Sequence, residues 1–153
     1  MEFYNIKGSL AADAYLIQFD GGAVPNPGTC GSGAVLFNSV GKCIWEVGEY
    51  CSYGTNNTAE YRGLELGLQM ALDKGVRSLK IEGDSNLVIQ QIAGKWKVRN
   101  DTLKVIYGRV MELIKKFDAV ACRHVYREYN TRADSITNEL QETKVSFSRA
   151  VTQ

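Results

Sequence analysis

The apolar residues of this chain change period partway along it, and that change restricts the fold more than any other feature. Up to Tyr50 they come in short β-prone runs, Tyr15–Asp20, Gly33–Asn38 and Cys43–Tyr50, the last two separated by Ser39–Lys42. Consecutive strands this closely spaced form a meander. From Thr58 to Lys74 the spacing becomes helical, with Glu60, Leu64, Leu68 and Ala71 on one face and Gly63 and Gly67 beside them. Glycine lowers helix propensity, so close approach to a neighbouring sheet is the reason it is tolerated there. Gly75 stops the helix. A strand (Ser78–Gly83), a short helix (Ser85–Ala93), a longer helix (Asp101–Phe117), a strand (Ala119–Tyr126) and a terminal helix (Ala133–Glu142) follow. The order βββαβααβα, a meander feeding right-handed βαβ crossovers, predicts a three-layer mixed α/β domain.

With 153 residues the chain suits one domain, expected over 14–142, with an N-terminal tail at 1–13 and a C-terminal tail at 143–153. Hydrophobic residues at 44% and charged residues at 23% fit a globular protein and not a disordered one. A balance of 18 basic against 17 acidic residues excludes a strongly basic packaging protein. It does not exclude a polyanionic partner, because local charge distribution matters more than the total. Cys30, Cys43, Cys51 and Cys122 contain no C-x-x-C, and there is one histidine, so free thiols in a reducing compartment are expected rather than zinc or disulfides. No apolar run approaches the ~18 residues of a membrane span. The opening MEFYNIKGSLAAD lacks a basic n-region and an apolar h-region, so the expectation is an intracellular protein, cytoplasmic or nuclear, without a membrane partner and monomeric.

The acids occupy special places in this layout. Asp20 ends the first strand, Glu60 lies in the first turn of the first helix, Asp84 ends the fourth strand, and Asp134 opens the last helix. Glu60 is in line with Leu64 and Leu68, where a bare carboxylate is unfavourable without a cation or hydrogen bond. If the first and fourth strands are parallel neighbours, ~4.8 Å apart, their terminal acids converge at one edge of the sheet. Ligands of open α/β sheets favour such strand ends. Converging carboxylates without histidine or cysteine suit Mg²⁺ or Mn²⁺. Each acid taken alone also serves as a turn residue or helix cap, so the residues by themselves leave both readings open. The stretch Gly21–Gly33, which holds both prolines, reads as a tight loop.

Asp20-Gly21-Gly22 through Asn26-Pro27-Gly28, then Thr55-Asn56-Asn57-x-x-Glu60, Gly83-Asp84-Ser85, and His124 with Asn130 and Ala133-Asp134 resemble type 1 ribonuclease H. The resemblance is to the plant- and archaeal-type, reverse-transcriptase-like branch and runs from about Ala14 to Leu140. It implies a ribonuclease H-like three-layer α/β fold with a five-stranded mixed sheet, order 3-2-1-4-5, flanked by helices. The implied activity is divalent-metal-dependent hydrolysis of the RNA strand of RNA–DNA hybrids, leaving a 5′-phosphate and a 3′-hydroxyl. Asp20, Glu60, Asp84 and Asp134 match the metal-binding quartet, for two Mg²⁺ ions with Mn²⁺ as substitute.

The same resemblance assigns nucleic-acid contacts. Gly21, Gly22 and Asn26 approach the ribose 2′-hydroxyls; Thr55, Asn56 and Asn57, a natural helix cap, hold the DNA strand with Asn26. Ser85 and Asn86 start a helix whose amides face anions. His124 matches a catalytic histidine of bacterial members, yet Val125-Tyr126-Arg127 continues like a strand, so a structural role stays open, with Arg127 as an alternative group near the phosphate. Lys95-Trp96-Lys97-Val98-Arg99 reads either as a nucleic-acid contact or as a solvated connection. The last helix departs from the pattern Ala-Asp-x-Leu-Ala-Asn at Ile136 and Thr137. Competing functions are a nuclease on double-stranded RNA or RNA–DNA junctions, a non-catalytic hybrid-binding module, and a piece of a longer polyprotein or reverse transcriptase.

Overall fold

The structure is a computed structural model and describes residues 2–152. Its backbone is the expected meander: β2 (Tyr15–Val24), β3 (Gly28–Phe37) and β4 (Cys43–Gly54), paired antiparallel in that order after the short strand β1 (Tyr4–Lys7). Helix α1 (Asn56–Asp73) then crosses to β5 (Ser78–Gly83), which pairs parallel to β2. Helices α2 (Asn86–Ile92) and α3 (Asp101–Ile114) lead to β6 (Ala119–His124), parallel to β5. A single 3-10 turn, Arg127–Tyr129, precedes α4 (Thr131–Thr143), and β7 (Phe147–Ala150) closes the chain.

The sheet has seven strands in the order β1-β6-β5-β2-β3-β4-β7, not the expected five. The inner five, β4-β3-β2-β5-β6, keep the expected 3-2-1-4-5 order. The two additions lie in segments expected as tails: β1 pairs antiparallel with β6, and β7 with β4. Each is held by a few inward side chains. Tyr4 and Ile6 pack on the main core, and Phe147 packs on Val35, Ile136 and Leu140.

Two helical layers enclose the sheet. Ala34 carries the α1 side, where Leu64 and Leu68 of α1, together with α2 and α3, cover Ile17, Phe19, Ile81 and Val120 of the sheet. The next residue, Val35, faces α4 through Ile136 and Leu140, as the two-residue side-chain period of a strand requires. Each fully buried Leu, Ile or Phe of these layers contributes about 1.5–3 kcal/mol of hydrophobic stabilisation. Among the described residues no helix is long and apolar enough to cross a membrane.

The segment Gly21–Gly33 is not a loop. Gly21 pairs with Ser32 and Gly22 with Gly31 inside the β2–β3 ladder, and only the Pro25–Pro27 region turns. Its glycines answer to packing instead. A Cβ at Gly21 would lie 2.2 Å from the carbonyl carbon of Ala59, because the first turn of α1 rests directly on β2. α1 itself starts at Asn56, with Thr55 as N-cap in a reciprocal capping box with Thr58.

Candidate active site

Parallel pairing of β2 with β5 ends at Phe19 opposite Gly83, so Asp20 and Asp84 follow side by side. Asp84 lies just past β5, whereas Asp20 does not end its strand as expected but sits within β2, paired with Gly33 of β3. Helix α1 brings the third acid. Gly63 sits against the Asp20 carbonyl and Gly21 lies under Ala59 and Glu60, which lowers the first turns of α1 onto the strand. Carboxylate oxygens of Asp20, Glu60 and Asp84 consequently lie within 4.8 Å of one another. Asp134 lines the same open cleft of about 590 Å³ but stands outside that tight group, 3.3 Å from the Arg127 guanidinium.

The three acids are held against their own repulsion. Like charges about 4 Å apart repel by roughly 4 kcal/mol at an effective dielectric of ~20. Burial, followed by the charge of Asp84, pushes the Asp20 carboxyl up to about 6, against the lowering effect of the Thr137 hydroxyl. Burial first, then Asp20 and Asp84, raises Glu60 well above the usual carboxylate range. Burial also raises Asp84, partly offset by Arg127. Without a cation the site therefore favours a proton shared between Glu60 and Asp20. Glu60 Oε2 is buried and has no hydrogen-bond partner among the described residues. An orphaned carboxylate oxygen beside two further hard oxygen donors fits a divalent cation of the Mg²⁺ class.

The surrounding polar groups fix the frame. Asn130, wholly buried, donates from Nδ2 to the Phe19 carbonyl at 2.9 Å, and the Thr137 hydroxyl lies 2.9 Å from Asp20 Oδ2. Asn56 Oδ1 accepts from the Ala23 backbone amide at 2.8 Å, while Asn26 Oδ1 accepts from the Asn56 backbone amide at 3.0 Å. His124, at the end of β6, lines the cleft and its Nε2 donates to the Asp84 carbonyl at 3.2 Å.

A reverse transcriptase-like family model matches residues 18–140. The chain belongs to that family, in its type 1 ribonuclease H branch. It is 38% identical over 121 residues to Ribonuclease HI of Halobacterium salinarum, across 79% of this chain and 61% of that protein. It thus spans under two thirds of that relative's length, and 37% of the bifunctional protein Rv2228c of Mycobacterium tuberculosis. The structure of the N-terminal RNase H domain of Rv2228c superposes with a TM-score of 0.83 at 34% identity, covering 85% of this chain and 94% of that one. LC11-RNase H1, solved in complex with an RNA/DNA hybrid, superposes with a TM-score of 0.75 at 34% identity, over 86% and 99% of the two chains.

The ribonuclease H motifs divide into those that reach the cleft and those that do not. Gly21, Gly22, Asn56, Asn57, Ser85, His124 and Arg127 line it with the four acids. Thr55 and Asn26 do not; they cap α1 and tie the Pro25–Pro27 turn to it. The Ser85 hydroxyl caps α2, and Asn86 accepts from Gln90. Lys95, Trp96, Lys97 and Arg99 lie away from the acids, between α2 and α3, all exposed, with Trp96 47% accessible and Lys95 over the Tyr4 ring. Thr137, Asn138 and Gln141 line the cleft and were not anticipated. Their signal is spacing: with Asp134 they fall at i, i+3, i+4 and i+7, one stripe of α4.

Proposed function

We propose that this chain is a divalent-metal-dependent endonuclease that hydrolyses the RNA strand of RNA–DNA hybrids, leaving a 5′-phosphate and a 3′-hydroxyl. The observation that carries this reading is the convergence of Asp20, Glu60 and Asp84 around the orphaned Glu60 Oε2. The hybrid-bound relative LC11-RNase H1 supports the substrate class. Asp20, Glu60, Asp84 and Asp134 would hold two Mg²⁺ ions, or Mn²⁺ in their place. When bound, such ions supply a more acidic water and neutralise charge on the phosphoryl oxygens as they become more anionic.

The chain's own groups do the rest. The packing of α1 on β2 and the hydrogen bonds of Asn130 and Thr137 place the acids, against their mutual repulsion, before any substrate arrives, so little reorganisation is left for the reaction itself. Arg127 restrains Asp134 and adds positive charge beside the scissile phosphate. With Nε2 donating to the Asp84 carbonyl, the imidazolium form of His124 carries its second proton on Nδ1, which passes it to the leaving 3′-oxygen and is left as the neutral ring. A Cβ at Gly22 would meet nothing nearer than Asn56 Oδ1 at 3.8 Å, so a ribose and its 2′-hydroxyl can approach this backbone. The exposed Lys95, Lys97 and Arg99, with Trp96, meet the DNA strand a few base pairs away.

The test is a labelled substrate panel of RNA–DNA hybrid, double-stranded RNA, DNA duplex and single-stranded RNA, each with Mg²⁺, Mn²⁺ or EDTA. The RNA strand of the hybrid should be cut in metal and left intact in EDTA. Cleavage of double-stranded RNA in preference to hybrid would move the assignment to that substrate, and binding of hybrid without any cleavage would make the domain a binding module.

A further inference from the structure

We propose that Thr137 is a positioning residue for the metal site, its hydroxyl holding the Asp20 carboxylate in the orientation that cation binding requires. This rests on the metal-dependent reading of the acid cluster. Thr137 belongs to α4, on the sheet face opposite α1, so it reaches Asp20 from the side that Glu60 does not occupy. It is 5% exposed, and its Oγ1 lies 2.9 Å from Asp20 Oδ2 and 2.7 Å from the Asp134 carbonyl. A hydroxyl has one proton for these two acceptors. A charged carboxylate is the stronger acceptor, so with Asp20 ionised the proton goes to Oδ2.

Two features make this more than an incidental contact. The side-chain amide of Asn130, at the start of α4, donates to the carbonyl of Phe19, one residue before Asp20, so α4 and the residue that precedes it fix both the backbone and the side chain at this point of β2. Glu60, the other side chain hydrogen-bonded to Asp20, can donate only while it carries a proton, whereas the threonine hydroxyl always carries one and can donate to Asp20 when both acids are ionised. Threonine's branched Cβ restricts χ1, which keeps that donor in place. The related helix pattern carries alanine at this position, so the bond is a property of this chain's own residue.

The experiment is Mn²⁺ binding by calorimetry, without nucleic acid, for wild type, Thr137→Val, Thr137→Ala, Thr137→Ser and Asp84→Asn, with melting curves of each metal-free protein. Removing a group that orients a metal ligand weakens metal affinity by roughly 10–100-fold, so Thr137→Val and Thr137→Ala should each lose about tenfold or more. Thr137→Ser should bind within about threefold of wild type, because the hydroxyl remains. The melting temperature should not follow this order. Wild-type affinity in both Thr137→Val and Thr137→Ala, or a serine variant as weak as valine, overturns the assignment. If valine does not fold, the alanine and serine variants decide it alone. A wild type that binds no Mn²⁺, or an Asp84→Asn that binds it equally well, instead removes the metal reading and the Thr137 role with it.

Discussion

Gly63 lies so close to Asp20 that a Cβ there would sit 2.4 Å from the Asp20 carbonyl oxygen. Glu60 precedes Gly63 by three residues on α1, so this contact sets the height of Glu60 above the strand. Gly63→Ala must push the helix off β2. It should destabilise the protein by about 1–3 kcal/mol or more through overpacking and reduce cleavage as Glu60 withdraws from Asp20. Gly22→Ala, whose Cβ would make only an ordinary contact with Asn56 Oδ1 at 3.8 Å, should leave the urea midpoint unchanged and weaken hybrid binding only. Equal stability for the two variants would contradict this packing.

The carboxyl shifts set a pH dependence with a definite sign. Asp20 titrates near about 6 in the folded protein, and Glu60 and Asp84 are raised as well, so the metal-free folded state binds more protons than the unfolded chain. The contribution of Asp20, about 3 kcal/mol, is complete below the ordinary carboxylate range and is lost as pH rises through about 6; Glu60 and Asp84 act in the same direction. In EDTA the melting temperature should therefore fall between pH 5 and pH 7, and Mg²⁺ should reverse the fall at pH 7 and not at pH 5. Asp84→Asn should raise the metal-free melting temperature at neutral pH while abolishing cleavage. A melting temperature that climbs from pH 5 to pH 7 in EDTA would contradict these shifts.

His124 faces the cleft from the end of β6 and carries no core packing comparable to Tyr61 or Phe19. His124→Ala should lower turnover by ~10²-fold with little change in hybrid affinity. Its melting temperature should stay close to wild type. Loss of activity in step with loss of stability would make the histidine structural.

The basic segment between α2 and α3 should act on affinity alone. Alanine at Lys95, Lys97 and Arg99 removes up to three phosphate contacts, so the slope of log affinity against log salt should flatten by roughly 2–3. Turnover at saturating hybrid should hold, because these groups lie outside the acid cleft. An unchanged slope, measured in Ca²⁺ across a salt series, would make the segment a solvated connection.

The acid cluster is legible in the sequence because its members sit where strongly patterned segments change. Asp84 follows the end of β5, Asp20 marks where the parallel pairing of β2 with β5 stops although β2 itself continues to Val24, and Glu60 continues the Leu64–Leu68 line of α1. The edge strands are not legible, since four-residue runs such as Tyr4–Lys7 and Phe147–Ala150 owe their conformation to pairing with β6 and β4. Gly21–Gly33 misleads for a different reason. Glycine and proline signal turns locally, whereas Gly21 meets a demand for helix contact that only the tertiary structure reveals. Thr137, Asn138 and Gln141 look like the solvated face of an amphipathic helix until the sheet edge is set beneath them.

The most direct test of the central claim is anomalous diffraction from crystals grown at neutral pH with Mn²⁺. The expected result is a peak coordinated by carboxylate oxygens of Asp20, Glu60 and Asp84, with Glu60 Oε2 no longer unpartnered. Manganese at other surface acids, and none among these three, would contradict it.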